Sequence, residues 1–253
     1  MRRLVLLFAF VSVSAAAQTA TVDTSLVNRL TRVLGLDADV SIGIRSTDAT
    51  EATAAPTMVS LGDSVEVAIV EEYDPALLED ALSFLEGPAF QRLEASQRAW
   101  FADQSPEDMM ALMSSGGPPD APRADSALVV DYVDAQIAAT RPDDIRHESF
   151  QVARAQMDPA ARSVLDDAGF FSAMTSDGGQ GDARARFLAI RSARLQLADA
   201  DPADVRAVAS YYRSEAGRHV ERQVALGRSR AQLPVLVSSL ESMAEQFRTA
   251  RGQ

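Results

Sequence analysis

Asp74-Pro75-Ala76-Leu77-Leu78-Glu79-Asp80-Ala81-Leu82-Ser83-Phe84-Leu85-Glu86-Gly87-Pro88-Ala89 decides the fold class, because its pattern returns without a gap further along the chain. The second copy is Asp201-Pro202-Ala203-Asp204-Val205-Arg206-Ala207-Val208-Ala209-Ser210-Tyr211-Tyr212-Arg213-Ser214-Glu215-Ala216. Each copy reads as a helix with marked ends. Asp at the N-cap accepts a bond from a free backbone N–H, and Pro at N1 lacks only a donor that would be unpaired there. Apolar residues then recur at i, i+3, i+4 and i+7: Leu78, Ala81, Leu82 and Leu85, and Val205, Val208, Ala209 and Tyr212. That spacing forms one helix face. Gly87-Pro88 and Ser214-Glu215 break each copy and start a second helix, so each is a bent helix pair.

Working outward, the order of features around each copy is the same. A loop, a helix, the bent pair, a Pro-initiated helix and a Ser-rich apolar stretch occur in both halves. The expected architecture is therefore all-α, with two tandem repeated helical units. Residues 18–115 form the first unit, 116–124 the linker and 125–253 the second. The linker contains Gly116-Gly117-Pro118-Pro119-Asp120-Ala121-Pro122. Ser46 to Pro56 and Thr175 to Asp182 read as loops at matching places. Val65 to Ile69 alternates like a strand, but Met58, Leu61, Val65, Ile69 and Tyr73 fit a helix, and helix is expected there. Around Phe187 to Leu197, a helix with Phe187, Ile190, Arg191, Arg194 and Leu195 on one face is expected. Thr24–Leu36, Asp125–Ala139, and helices opened by Pro142, Pro159 and Pro234 complete the set.

Met1-Arg2-Arg3, an apolar run from Leu4 to Val13 and Ser14-Ala15-Ala16-Ala17 read as a signal peptide over residues 1–17, cut after Ala17. The run is too short to span a bilayer, and no later stretch qualifies. The expectation is an exported protein, periplasmic or extracellular. With no Cys among 253 residues, thiol chemistry is excluded and the fold must be held by its core. Formal net charge is −12 and every basic residue is Arg. An acidic chain is repelled by nucleic acid and anionic membranes, so neither is expected as a partner. Charge is uneven: Asp23 to Asp80 is acidic, whereas Asp182 to Arg230 is Arg-rich. Two readings follow: the halves pack against each other, within or between chains, or the second presents an anion-binding surface.

Tyr211-Tyr212-Arg213-Ser214-Glu215-Ala216-Gly217-Arg218 carries an aromatic pair, then x-Ser-x-x-Gly and a basic residue, after an acidic helix start. This resembles domain-of-unknown-function family 2059, found in exported bacterial proteins. The similarity covers Asp201 to Leu226 and the Pro-containing helix after it, a family-like core of residues 201–250. In the first copy Phe90 stands where Gly217 would be. The resemblance implies an exported helical domain and assigns no activity. On their own chemistry, Tyr212 lies on the buried stripe and Tyr211 sits beside it with its hydroxyl at the edge. Ser214 caps the second helix, and Gly217 admits a second backbone.

Catalytic signatures are thin. His147 and His219 are the two histidines, without a metal-ligand spacing, and no G-x-S-x-G occurs. No catalytic residue, metal or cofactor is assigned. Neither Asp177-Gly178-Gly179-Gln180-Gly181-Asp182 nor Asp37-Ala38-Asp39 has the ligand order of an EF-hand loop. Tyr211, Arg213, Arg218 and His219 are the candidate binding residues, with Glu215 four residues before His219. The leading expectation is a non-catalytic binding protein of the cell envelope that holds another protein or a peptide. Met109, Met110 and Met113 suit an adaptable apolar groove. The alternatives are a hydrolase-like enzyme with a pocket near Tyr211 and His219, and a self-associating structural protein.

Overall fold

The computed structural model describes residues 22–36, 40–42, 57–105, 123–176 and 180–251. The signal-peptide stretch, the Ser46 to Pro56 loop, the Met109 to Met113 cluster and most of the linker lie outside these residues. Among the described residues the chain is all-helical apart from a small antiparallel ribbon. The elements are α1 (Thr24–Val33), β1 (Val40–Ile42), β2 (Thr57–Val59), α2 (Leu61–Glu71), α3 (Pro75–Leu85) and α4 (Pro88–Ala102). There follow α5 (Ser126–Thr140), α6 (Pro142–Gln156), α7 (Pro159–Asp167) and α8 (Phe170–Ser176). The last are α9 (Gln180–Gln196), α10 (Pro202–Arg213) and α11 (Glu215–Arg251). The ribbon pairs Val40 with Val59 and Ile42 with Thr57.

The two quoted stretches fold alike. The Asp74 carboxylate accepts from Ala76 and Leu77 N–H at the start of α3, and Asp201 accepts from Ala203 N–H at the start of α10. Leu78, Ala81, Leu82 and Leu85 are buried, and so are Val205, Val208, Ala209 and Tyr212. Gly87 precedes α4, and the Ser214 hydroxyl accepts from Gly217 N–H at the start of α11. All of these caps and stripes follow the sequence pattern.

A single hydrophobic cluster draws on both stretches and on α1, α2, α5 and α9. Aromatic rings run through its centre. Phe84 of α3 lies flat on Tyr211 of α10, centroids 4.6 Å apart and planes 7° apart, and Tyr212 packs against Tyr132 of α5 at 5.7 Å. Such pairs add about 0.5–1.5 kcal/mol beyond the area they bury. Arg92 of α4 makes a two-pronged bond to buried Asp204 of α10, at 2.8 and 2.6 Å. The guanidinium holds the Asp204 carboxyl below the usual range.

α11 is the spine. Its first half closes the main core, and its second half builds a separate one. There Leu240 and Ala244 meet Ala153 of α6, Met157 at its C-cap, Leu165 of α7 and Phe171 of α8. Between the two cores lies a neck of only Ala68, Ile145 and Leu226, with Ala225 beside them.

Four expectations are corrected. No new helix starts at Pro234: α11 runs through it. The ring sits on the exposed side, so the lost N–H costs one backbone bond while packing on the opposite face holds the helix together. Met58 belongs to β2, not to the helix after it, which Ser60 caps. In α9 the buried residues include Ala193 and Leu195, whereas Phe187 is 59% exposed, with the Arg191 guanidinium over its ring. Gln180, Gly181 and Asp182, read as loop, open α9.

Gly217 and Gly227 set the two closest approaches. A Cβ on Gly217 would lie 1.9 Å from the Tyr211 carbonyl oxygen, across the α10–α11 corner. One on Gly227 would lie 2.4 Å from the Val65 Cα of α2. Neither neighbour is a flexible side-chain tip, so backbone must move. Gly227→Ala should cost roughly 1–3 kcal/mol and lower Tm by about 2–4 °C for each of these, and Gly217→Ala should cost at least as much. Thermal unfolding followed by circular dichroism checks both, and a wild-type Tm for Gly227→Ala would refute the close approach.

Candidate functional site

The four residues expected to form a site do not share one surface. Tyr211 is buried, and its hydroxyl, expected at an edge, has no hydrogen-bond partner. Burial pushes this phenol far above its usual range, and the charge of Glu221 adds to the shift. Arg213 reaches outward to the carboxylate and carbonyl of Asp131 on α5. Arg218 is exposed, and His219 is half-buried with Nε2 unpartnered. Among the described residues no bond joins Glu215 to His219. None of the four lines any of the three clefts described below. These three clefts therefore lie away from Tyr211 and His219.

What surrounds the aromatic pair is an interior polar cluster. Tyr132 interacts with the Tyr212 hydroxyl and with Gln97 of α4, and burial raises both phenols above their usual range. Glu221 of α11 faces the same tyrosines. Burial pushes its carboxyl up to about 7, against a smaller lowering by Arg228.

A wide open trough of the described residues lies at the neck, where sequence reading placed nothing. α6 and α11 run side by side there and touch through small side chains. The Ser149 hydroxyl meets that of Ser229 and also bonds the Ile145 carbonyl at 2.6 Å. On one side of this seam opens a trough of ≈ 810 Å³. α6 and its entry contribute Thr140, Pro142, Ile145, Arg146, Ser149 and Phe150. α11 contributes Ala225, Arg228, Ser229, Gln232, Val235, Leu236 and Ser239. The α11 residues recur three or four apart, one stripe about 21 Å long at 1.5 Å per residue. On the other side is a smaller cleft of ≈ 390 Å³, edged by Val67 of α2 and Val152 of α6, which are both exposed. A third, of ≈ 370 Å³, borders the Arg92–Asp204 pair.

Local backbone geometry opens the trough. Arg141, the one residue between α5 and α6, has φ 48° and ψ 58°. A left-handed, non-glycine residue before proline is costly, of order 1–3 kcal/mol, and it turns α6 away from the line of α5. The trough is apolar at its base and carries two cations, Arg146 and Arg228, and no acid. Arg146 pairs with Asp143. Arg228 is exposed and makes no ion pair among the described residues. Nothing local in sequence marks this site, because its walls lie some eighty residues apart. The one available signal was the polar stripe of Arg228, Ser229, Gln232 and Ser239 within an otherwise apolar helix face.

No family model, curated protein or solved structure matches the chain. Among the described residues no group of three or more His, Asp or Glu is placed to hold a metal. No described helix is long and apolar enough to cross a membrane.

The interior cluster has a consequence for pH. Glu221 keeps its proton to about 7 in the folded protein and loses it near the ordinary carboxyl value of 4.5 when unfolded. Within that window the unfolded chain binds fewer protons, so stability falls as pH rises through it and levels off above. Asp134 and Asp204, held low by Arg186 and Arg92, act at the acid end, where their stabilisation is lost as pH falls. Tm should decline from about pH 5 to about pH 8, and Glu221→Gln should flatten the decline and stabilise the protein at the alkaline end by up to roughly 3 kcal/mol. A Tm–pH profile that is the same with and without the substitution would remove Glu221 from this role.

Proposed function

We propose that the chain is an exported, non-catalytic binding protein of the cell envelope, and that the trough between α6 and α11 holds a segment of another protein. The observation that carries this reading is the trough itself: apolar at its base, open to solvent and long enough for several helical turns. Its volume lies in the range of ordinary ligand sites. The buried cluster at Tyr211 and His219 offers no comparable access.

We also infer that α3–α4 and α10–α11 descend from one duplicated module, which makes the two units tandem repeats. Matching caps, matching buried stripes and the stacking of Phe84 on its own counterpart Tyr211 support this. In that frame the α6–α7–α8 segment is the part with no equivalent before the first pair. It builds the second core and one wall of the trough, so the added helices and the binding surface arise together. Self-association through opposite charge is less favoured, because several of the relevant groups are paired within the chain. Arg230 bonds Glu71 at 2.7 Å, and Gln223 bonds Glu72 at 2.6 Å.

Gln232 and Ser239 are exposed residues of the trough, so Gln232→Trp and Ser239→Trp fill it without disturbing a core. Peptides selected from a random library on the mature chain should lose at least about tenfold in affinity on either variant, with Tm unchanged. Selection that yields no peptide sensitive to these substitutions would defeat the reading. N-terminal sequencing of protein recovered from the envelope or medium should begin at Gln18; an uncut chain confined to the cytoplasm would defeat export.

A further inference from the structure

The trough has a shape and a charge that specify its occupant more closely than "a peptide". Its long wall is a stripe along α11, and its short wall is Ile145 and Phe150 on α6. Two parallel helices with a continuous groove between them present ridges three and four residues apart, which a third helix fits. A small molecule needs most of its surface enclosed, and this trough is open to solvent along its stripe. An extended strand would need backbone partners, and helix walls have none to spare. Geometry therefore favours a helix laid in the groove, with apolar residues at i, i+3 or i+4, and i+7.

Charge decides which helix. The protein carries −12, yet among the described residues Arg146 and Arg228 are the only charged side chains lining the trough. Most other arginines with a described bond are committed to acids of this chain: Arg29 to Glu86, Arg92 to Asp204, Arg186 to Asp134 and Arg213 to Asp131. Arg228 stands apart, exposed beside apolar surface and without an ion pair among the described residues, though its charge is felt by Glu221 two turns back. A cation at the rim of an apolar groove selects a partner carrying carboxylates at the flank of its apolar face.

We propose that the α6–α11 trough is a docking site for an acidic amphipathic helix of a partner protein, with Ile145, Phe150, Val235 and Leu236 receiving its apolar face and with Arg228, joined by Arg146 in exchange for its exposed pair with Asp143, receiving its carboxylates. This rests on the trough being the binding surface. Across the rest of a strongly acidic exterior, long-range repulsion opposes any acidic partner, so only one that reaches the two arginines gains. Specificity here comes from the contrast between the local and the overall field.

The test uses the full mature chain and two synthetic helical peptides of about four turns. They share one leucine face, and the flanks carry glutamate in one peptide and lysine in the other. Fluorescence anisotropy at two salt concentrations reads the affinity. The glutamate peptide should bind at least about tenfold more tightly than the lysine peptide, should weaken with salt, and should lose that advantage on R228E and R146E at unchanged Tm. Equal binding of both peptides, or binding indifferent to the arginine substitutions, would overturn the acidic preference while leaving the trough as a helix site. Failure of both peptides to bind, with library-selected peptides still sensitive to Gln232→Trp, would overturn the helix while sparing the binding reading. Displacement of the glutamate peptide by oleate at equal concentration would assign the site to a small amphiphile instead. Light scattering that shows a dimer broken by Gln232→Trp would assign it to a second copy.

Discussion

Two flat rings hold this protein together. Phe84 and Tyr211 occupy the same place in two helices of like sequence, and they meet face to face at 4.6 Å with only 7° between their planes. Nothing fits between rings at that spacing, so α3 and α10 are fixed in distance at one point, and the two-pronged bond from Arg92 to Asp204 fixes α10 against α4 at another. Each of these helices is bent into its successor at a cap, Gly87 or Ser214. Setting α3 and α10 therefore sets the directions of α4 and α11. The tightness of the second corner, where Gly217 sits under the Tyr211 carbonyl, carries that setting into α11, the longest of the described helices.

From that point α11 has to serve two cores, and the way it does so creates the surface feature that matters. Near Gly227 its backbone is pressed by α2 from one side. Further on, Leu240 and Ala244 are buried by α6, α7 and α8. Between these regions α6 touches α11 through serines, and apolar burial there is reduced to Ala68, Ile145 and Leu226. A thin neck between two packed bodies leaves gaps on both flanks, which are the large trough and the smaller cleft. Pro234, two turns beyond Leu226, removes one backbone bond from α11 beside the trough. The groove is a by-product of packing two cores on one helix, held by rigid elements on either side.

Sequence reading reached as far as local rules reach. Asp-Pro caps and i, i+3, i+4, i+7 stripes located α3 and α10 and every buried residue named for them, since each signal lies within a few residues of its effect. Pro234 was misread because a proline starts a helix as readily as it interrupts one; the packing on α11 that outweighs the lost bond comes from helices eighty residues away. Phe187 was misplaced for the opposite reason: α9 has apolar residues on more than one side, and periodicity cannot say which side the neighbours take. The short strands lie where Ser and Thr abound and the pairing is non-local. Of the four candidate site residues, Tyr211 proved to be a core residue, Arg213 an ion-pair partner and Arg218 a solvated cation. The trough was invisible because its residue types are ordinary on either helix alone, and only their juxtaposition gives them meaning.

Charge supplies the remaining step. An acidic protein whose arginines mostly find acids of the same chain has spent its local attraction on its own fold. Arg29, Arg92, Arg154, Arg186, Arg213 and Arg230 each bridge different helices or the segments beside them. Apart from Arg92 on buried Asp204, these are exposed pairs, which contribute little to stability, typically 0–1 kcal/mol each, but they cancel the field around them. Where the cancelling acid is missing, the field persists, and at Arg228 it persists next to apolar surface. A lone cation on a polar surface is ordinary solvation. Beside an apolar groove it is different, because an anion that approaches it also removes hydrocarbon from water, and the two gains come from one act of binding. That coupling gives a groove of ordinary residues a preference, and it follows from the neck that the two cores leave between them.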